Sequence, residues 1–176
     1  IKNGPSTHGF DYSYGFCGSL DMPPYVWVEN SKSTKIPSKI TQSIDDKGFW
    51  RDGLTSEDFN HTMVLQTVTD KAVNYISEQT KTKEPFFLYL PLPAPHTPIL
   101  PTTEFLGKSN TNMYGDFVMQ VDDVVRQIRE ALKKEGISEN TLLVFTSDNG
   151  CSPRANFNEL ERVQHDPSYV YRGTKA

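Results

Sequence analysis

Three positions in this sequence carry side chains whose types and setting could act on a ligand. Asp148 and Asn149 stand in "TSDNG", directly after the apolar run "TLLVFTS" at 141–147. They offer a carboxylate and an amide oxygen, donors that hard cations such as calcium and magnesium take, whereas zinc asks for His or Cys. Asp-Asn-Gly is also a strong turn former, and a turn after a strand needs no metal. The residues alone leave both readings open. His96 stands in "APHTP", inside a run that holds Pro91, Pro93, Pro95, Pro98 and Pro101. Rigid neighbours suit a histidine that must be held toward a ligand, and equally one that is only hydrogen-bonded within its loop. Lys175, in "YRGTKA", reads on its residues alone as a solvated lysine near the end of the chain.

These positions need elements to hold them. The run "PFFLYLPL" at 85–92 is short, apolar and aromatic, which points to a strand buried on both faces, as does "TLLVFTS". Between them, 93–112 is too rich in proline for a helix or a central strand and reads as a rigid loop. Tyr114, Phe117, Val121, Val125, Ile128 and Leu132 fall three or four apart and give a helix one apolar face. Lys133 and Lys134 suit its last turn, and Gly136 suits its C′ position. Thr55-Ser56-Glu57-Asp58 reads as a capping box for an earlier helix over 56–79, with Phe59, Met63, Val68, Ala72 and Ile76 as its stripe. The order helix, strand, loop, helix, strand predicts an α/β fold with 86–91 and 141–147 parallel in one sheet. In such sheets ligands bind beyond the carboxyl ends of the strands, where both His96 and Asp148-Asn149 would sit. Residues 1–54 are irregular, with short strands expected at 25–29 and 36–41, and read as a segment wrapped over a core supplied elsewhere.

Composition narrows the class. The chain has 176 residues, 36% hydrophobic and 23% charged, with net charge -4. No basic cluster argues for nucleic acid, and no apolar run approaches the roughly 18 residues of a membrane span. Cys17 and Cys151 form no CxxC pair; buried free thiols are the plain expectation, with a disulfide left open. Asp122-Asp123 lies off the apolar stripe and reads as a solvated face. His8 and His61 have no partner pattern, while His165 lies near Lys175. Asn60-His61-Thr62 is a lone sequon and a weak signal. Trp27 and Trp50 fit either a carbohydrate cleft or local core.

Five stretches in one order carry a resemblance: "THGFDYSYG", "PFFLYLPLPAPHTP", "YGDFVMQVDDVVRQI", "LLVFTSDNG" and "YRGTKA". Together they resemble the type I sulfatases of the alkaline phosphatase superfamily, over nearly the whole chain. The resemblance implies an α/β fold, a mixed and largely parallel sheet flanked by helices. It implies hydrolysis of sulfate esters, of sulfated sugars or aryl sulfates, by a formylglycine and one calcium ion. It makes Asp148 and Asn149 calcium ligands, His96 the group that contacts the ester and protonates the leaving oxygen, and Lys175 the lysine on the sulfate. It also implies an exported setting (periplasmic, secreted or lysosomal).

The sequence departs from the family pattern in ways that set expectations. Cys151-Ser152-Pro153-Arg154 places Arg one position too early for the Cys/Ser-x-Pro-x-Arg motif that yields formylglycine, so Cys151 reads as structural. That motif, the paired Asp ligands and the Lys-Trp-His stretch do not occur. The chain therefore reads as an internal, incomplete part of a catalytic domain, with 1–54 wrapping and 55–176 as α/β core, and is expected to be inactive alone. The alternatives are a phosphatase or phosphodiesterase of the same superfamily, or a noncatalytic binding fragment. Asn149, where two-zinc relatives usually carry His, favours one hard cation.

Overall fold

The computed structural model describes residues 2–43 and 45–175. Two helices form its centre. α1 (Val64–Thr82) buries Val64, Leu65, Val68, Ala72 and Ile76 along one face. α2 (Met113–Lys134) buries Phe117, Val121, Val124, Ile128 and Leu132. The two stripes pack against each other, and each fully buried aliphatic side chain contributes about 1.5–3 kcal/mol. Gln66 and Gln127 bond across the seam at 3.3 Å, and Thr80 bonds Glu135 at 3.2 Å.

α2 ends where its lysines and Gly136 predict. Gly136 takes φ 72°. Its N–H reaches the Lys133 carbonyl at 3.1 Å, and the Ile137 N–H reaches Leu132 at 3.0 Å. This is a Schellman closure, with Ile137 packed on the core. α1 begins later than the expected 56. Thr55 belongs instead to a short ladder, and the Asp58 carboxylate is taken by the hydroxyls of Ser56 and Thr34, each at 2.7 Å. The expected capping box is therefore not made. Asn60 caps the 3₁₀ turn His61–Met63 that leads into α1, and α1 runs on to Thr82 before Lys83 turns to φ 61°.

The first part of the chain is irregular but does not merely wrap. β1 (Tyr14–Gly15), β2 (Val28–Glu29) and β3 (Lys32–Ser33) form one antiparallel ribbon. β4 (Lys39–Thr41) and β5 (Gly53–Thr55) form another. Tyr25, Trp27 and Trp50, at 1%, 2% and 5% exposure, join Phe59 and α1 in the core. The tryptophans are thus core residues.

The two apolar runs depart from expectation. In 86–92 Phe86, Leu88, Leu90 and Leu92 rest on the core, while Phe87 and Tyr89 stay 74% and 65% exposed. Leu142, Val144 and Phe145 are likewise exposed. Among the described residues neither run enters a ladder, and they do not pair with each other. A strand exists through its neighbours' hydrogen bonds, and no described segment supplies them here. The alternation in 86–92 is that of a run covered on one side. Among the described residues no helix is long and apolar enough to cross a membrane.

Candidate active site

The turn at 148–150 is held by backbone, which leaves its side chains unspent. Ser147 Oγ donates to the Asn149 carbonyl at 2.8 Å. Asp148 and Asn149 are exposed. A Cβ added at Gly150 would lie 2.5 Å from the Gly173 carbonyl oxygen, so only glycine lets the two strands of chain approach. Next to this contact the Lys175 N–H donates to the Cys151 carbonyl at 3.1 Å. Gly173 itself sits at φ 98°, a conformation that favours glycine. The sequence-predicted Lys175, half-buried, is thereby laid alongside the turn that carries Asp148 and Asn149.

Cys151 behaves as a structural thiol. Burial pushes its pKa up, opposed by its contact with the Tyr114 hydroxyl, which burial likewise pushes up. A thiol held protonated is a poor nucleophile. Cys17 is exposed, against the expectation of burial, because its irregular stretch leaves it at the surface; the two cysteines are free and unpaired.

His96 is exposed on a loop that is otherwise well anchored. Ala94, Pro98, Ile99 and Leu100 are buried, and the Ile99 N–H reaches the Lys47 carbonyl at 3.0 Å. Nδ1 of His96 lies 2.6 Å from the Thr97 carbonyl. A carbonyl only accepts, so Nδ1 carries the hydrogen and Nε2 is the ring atom free for a ligand. No hydrogen bond joins His96 to Asp148, Asn149 or Lys175 among the described residues. Nor do three His, Cys, Asp or Glu side chains converge there on a metal position. The turn offers two uncommitted hard oxygen donors, which fits a calcium ion that draws its other ligands from elsewhere, since calcium takes six to eight oxygens.

Two supporting residues escaped sequence reasoning. Asn112 caps α2, accepting from Tyr114 N–H and Gly115 N–H at 3.1 and 3.2 Å. Its amide also donates to the Ala155 carbonyl at 2.8 Å and to Glu159 at 3.1 Å. It thus ties α2 to the segment that follows the turn, where α3 (Phe157–Arg162) begins. An asparagine just before a periodic apolar run is a legible cap signal. Asp116 is 4% exposed; the N–H groups of Gly107 and Ser109 and the Ser109 hydroxyl bond it and hold its carboxyl below the usual range against the cost of its burial. It secures the loop that precedes α2. Asp123, by contrast, pairs with Arg126 at 2.6 Å with its side chain 20% exposed, while Asp122 beside it is exposed.

The sulfatase family model matches residues 2–170, and the chain belongs to the sulfatase family. It is similar to N-acetylgalactosamine-6-sulfatase of Mus musculus, 33% identical over 84% of this chain and 28% of that protein. It is also similar to N-acetylgalactosamine-6-O-sulfatase of Bacteroides thetaiotaomicron, 29% identical over 95% of this chain and 40% of that protein. An arylsulfatase of Hemicentrotus pulcherrimus is 29% identical over 98% of this chain and 29% of its own length. A solved structure described under the metabolism of multiple glycosaminoglycans by Bacteroides thetaiotaomicron superposes with TM-score 0.81 at 26% identity, over 97% of this chain and 43% of that one. The fold is therefore the mixed α/β fold of sulfatases, of which this chain forms part. It spans well under half the length of the relatives it matches.

Proposed function

We propose that Asp148, Asn149, Lys175 and His96 form one side of a sulfatase active site, and that the whole enzyme hydrolyses sulfate esters of sugars or aryl alcohols. The observation that carries this reading is the hydrogen bond from Lys175 N–H to the Cys151 carbonyl. It sets a lysine beside a turn whose two oxygen donors make no hydrogen bond among the described residues. A calcium ion held by Asp148 and Asn149 supplies positive charge to the sulfate oxygens when bound. Lys175 adds a fixed cation for the same oxygens, which gain charge as the S–O bond breaks. His96, with both ring nitrogens protonated, would donate its Nε2 proton to the departing ester oxygen and be left neutral, while Nδ1–H stays bonded to the Thr97 carbonyl and fixes the ring. Formylglycine, the nucleophile family membership implies, would come from outside these residues. An exported or lysosomal setting goes with the same reading.

The test uses the intact enzyme with calcium, reading sulfate release from a sugar sulfate and from a nitrophenyl sulfate. His96→Ala should cost about 10²–10⁴-fold on the sugar sulfate, whose leaving alcohol needs a proton. It should cost far less on the nitrophenyl ester. Equal losses on both would remove His96 as the acid, and faster turnover of phosphate than of sulfate esters would overturn the sulfatase reading.

A further inference from the structure

Beside the turn lies a cleft of ≈ 430 Å³ between α3 and the chain that returns to Lys175. Thr174, the residue before the proposed sulfate-binding lysine, lines it, and its Cα lies 3.3 Å from where a Cβ on Gly150 of the turn would stand. Phe157 and Pro167, both half-buried, give it an apolar side. Glu161, Gln164, His165 and Asp166 give it exposed polar groups. The wall is secured. Leu160, fully buried, anchors α3, and its carbonyl takes the His165 N–H at 2.9 Å. Asp166 uses one carboxylate oxygen on the Ser168 N–H at 2.8 Å. Among the described residues its other oxygen and both of Glu161 make no hydrogen bond.

An apolar platform beside free carboxylate acceptors is the chemistry that holds a sugar ring, with C–H faces on the phenyl group and hydroxyls donating to the carboxylates. The charge of the lining is one-sided, because it includes two carboxylates and neither lysine nor arginine. A sulfate on Lys175 meets a cation, but a second anion on the same ring would face Glu161 and Asp166. We propose that this cleft is the subsite for the sugar ring that bears the scissile sulfate, and that Glu161 and Asp166 select against a second anionic group on that ring. The proposal rests on the sulfatase reading of the adjoining turn.

The experiment compares kcat/KM of the intact enzyme for N-acetylgalactosamine 6-sulfate and for the same sugar carrying a second sulfate, with release of the 6-sulfate resolved by product chromatography. The wild type should prefer the monosulfated sugar. Glu161→Gln and Asp166→Asn keep hydrogen-bonding capacity and remove charge. Each should shrink the preference about threefold, the loss of one repulsion across several ångströms of solvent-screened space, and the pair about tenfold. Raising salt to about 1 M, where the Debye length falls to about 3 Å, should compress the wild-type preference without any mutation. A preference unmoved by the double substitution and by salt overturns the proposal. A fall on both sugars by one common factor also overturns it, since that outcome gives the carboxylates no selective role. No sulfate release from either sugar while nitrophenyl sulfate is still cleaved overturns the subsite alone, and no release from any of the three overturns the sulfatase reading with it.

Discussion

Asn112→Ala tests how the turn and cleft are held to the helical core. The substitution removes the α2 cap, worth about 1 kcal/mol. It also strips the donor from the carbonyl of Ala155, a residue 2% exposed, at about 1–2 kcal/mol for a buried acceptor left unpaired. The bond to Glu159 adds little, because that carboxylate is a third exposed and already pairs with Lys47 at 3.1 Å. The sum is about 2–3 kcal/mol, or a Tm drop of about 4–12 °C for a chain of this size. Asn112→Ser separates the parts. A serine oxygen still caps the helix but is too short to reach Ala155, so it should be about 1 kcal/mol milder than alanine. Urea unfolding followed by far-ultraviolet circular dichroism reads both, and hydrogen exchange at 153–160 reports whether that segment loosens first. If alanine and serine cost the same and both fall below about 0.5 kcal/mol, Asn112 ties nothing together and the reasoning fails.

Further expectations concern the core, pH and metal. Ile76 is 1% exposed in the α1 face, so Ile76→Ala should cost about 2–5 kcal/mol in thermal unfolding; a loss under 1 kcal/mol would mean the face is not packed as described. His61 is buried, stacked on Trp50 at 4.0 Å with Tyr25 edge-on, and burial lowers its pKa from 6.5 to about 4. The unfolded chain then binds the extra proton first, so this contribution to stability is whole above pH ~6.5 and is lost as pH falls toward 4. His61→Phe should flatten the urea midpoint between pH 7 and 4.5, and equal slopes in both proteins would refute the link. In the intact enzyme Asp148→Ala should remove most activity with little change in Tm, because the residue is exposed; activity indifferent to chelation would count against a metal there.

Where local signals agreed, the sequence was readable. α2 could be read from its stripe, its closing lysines and Gly136 together, and its end falls where they indicate. α1 was misjudged at its start because Thr55 and Asp58 had other partners, Lys39 in a ladder and Thr34 across a loop, and those contacts are non-local. The runs at 86–92 and 141–147 look covered on both faces because composition records how a run is meant to be buried. It does not record which segment pairs with it. Lys175 was invisible to residue chemistry. Only resemblance singled it out; the bond to Cys151 is made by its backbone and sets this stretch of chain beside the turn. The cleft could not be foreseen, since α3 is six residues long, too short for a periodic signal.

Holding and chemistry are assigned to different atoms around the turn. Every contact that fixes it uses backbone or a supporting side chain: Ser147 on the Asn149 carbonyl, Lys175 N–H on Cys151, the close pass of Gly150 by Gly173, Asn112 on Ala155. The groups proposed to meet a ligand are left free for it. A carboxylate already bonded within the protein would have to break that bond before binding a cation or a sugar hydroxyl, and the lost bond would be subtracted from affinity. A turn fixed through its backbone avoids that loss and keeps Asp148 and Asn149 in place before anything binds. Such preorganisation is what binding and catalysis reward. The same division explains why glycine occupies 150 and 173: a side chain at the first would push the lysine-bearing strand away from the turn it serves.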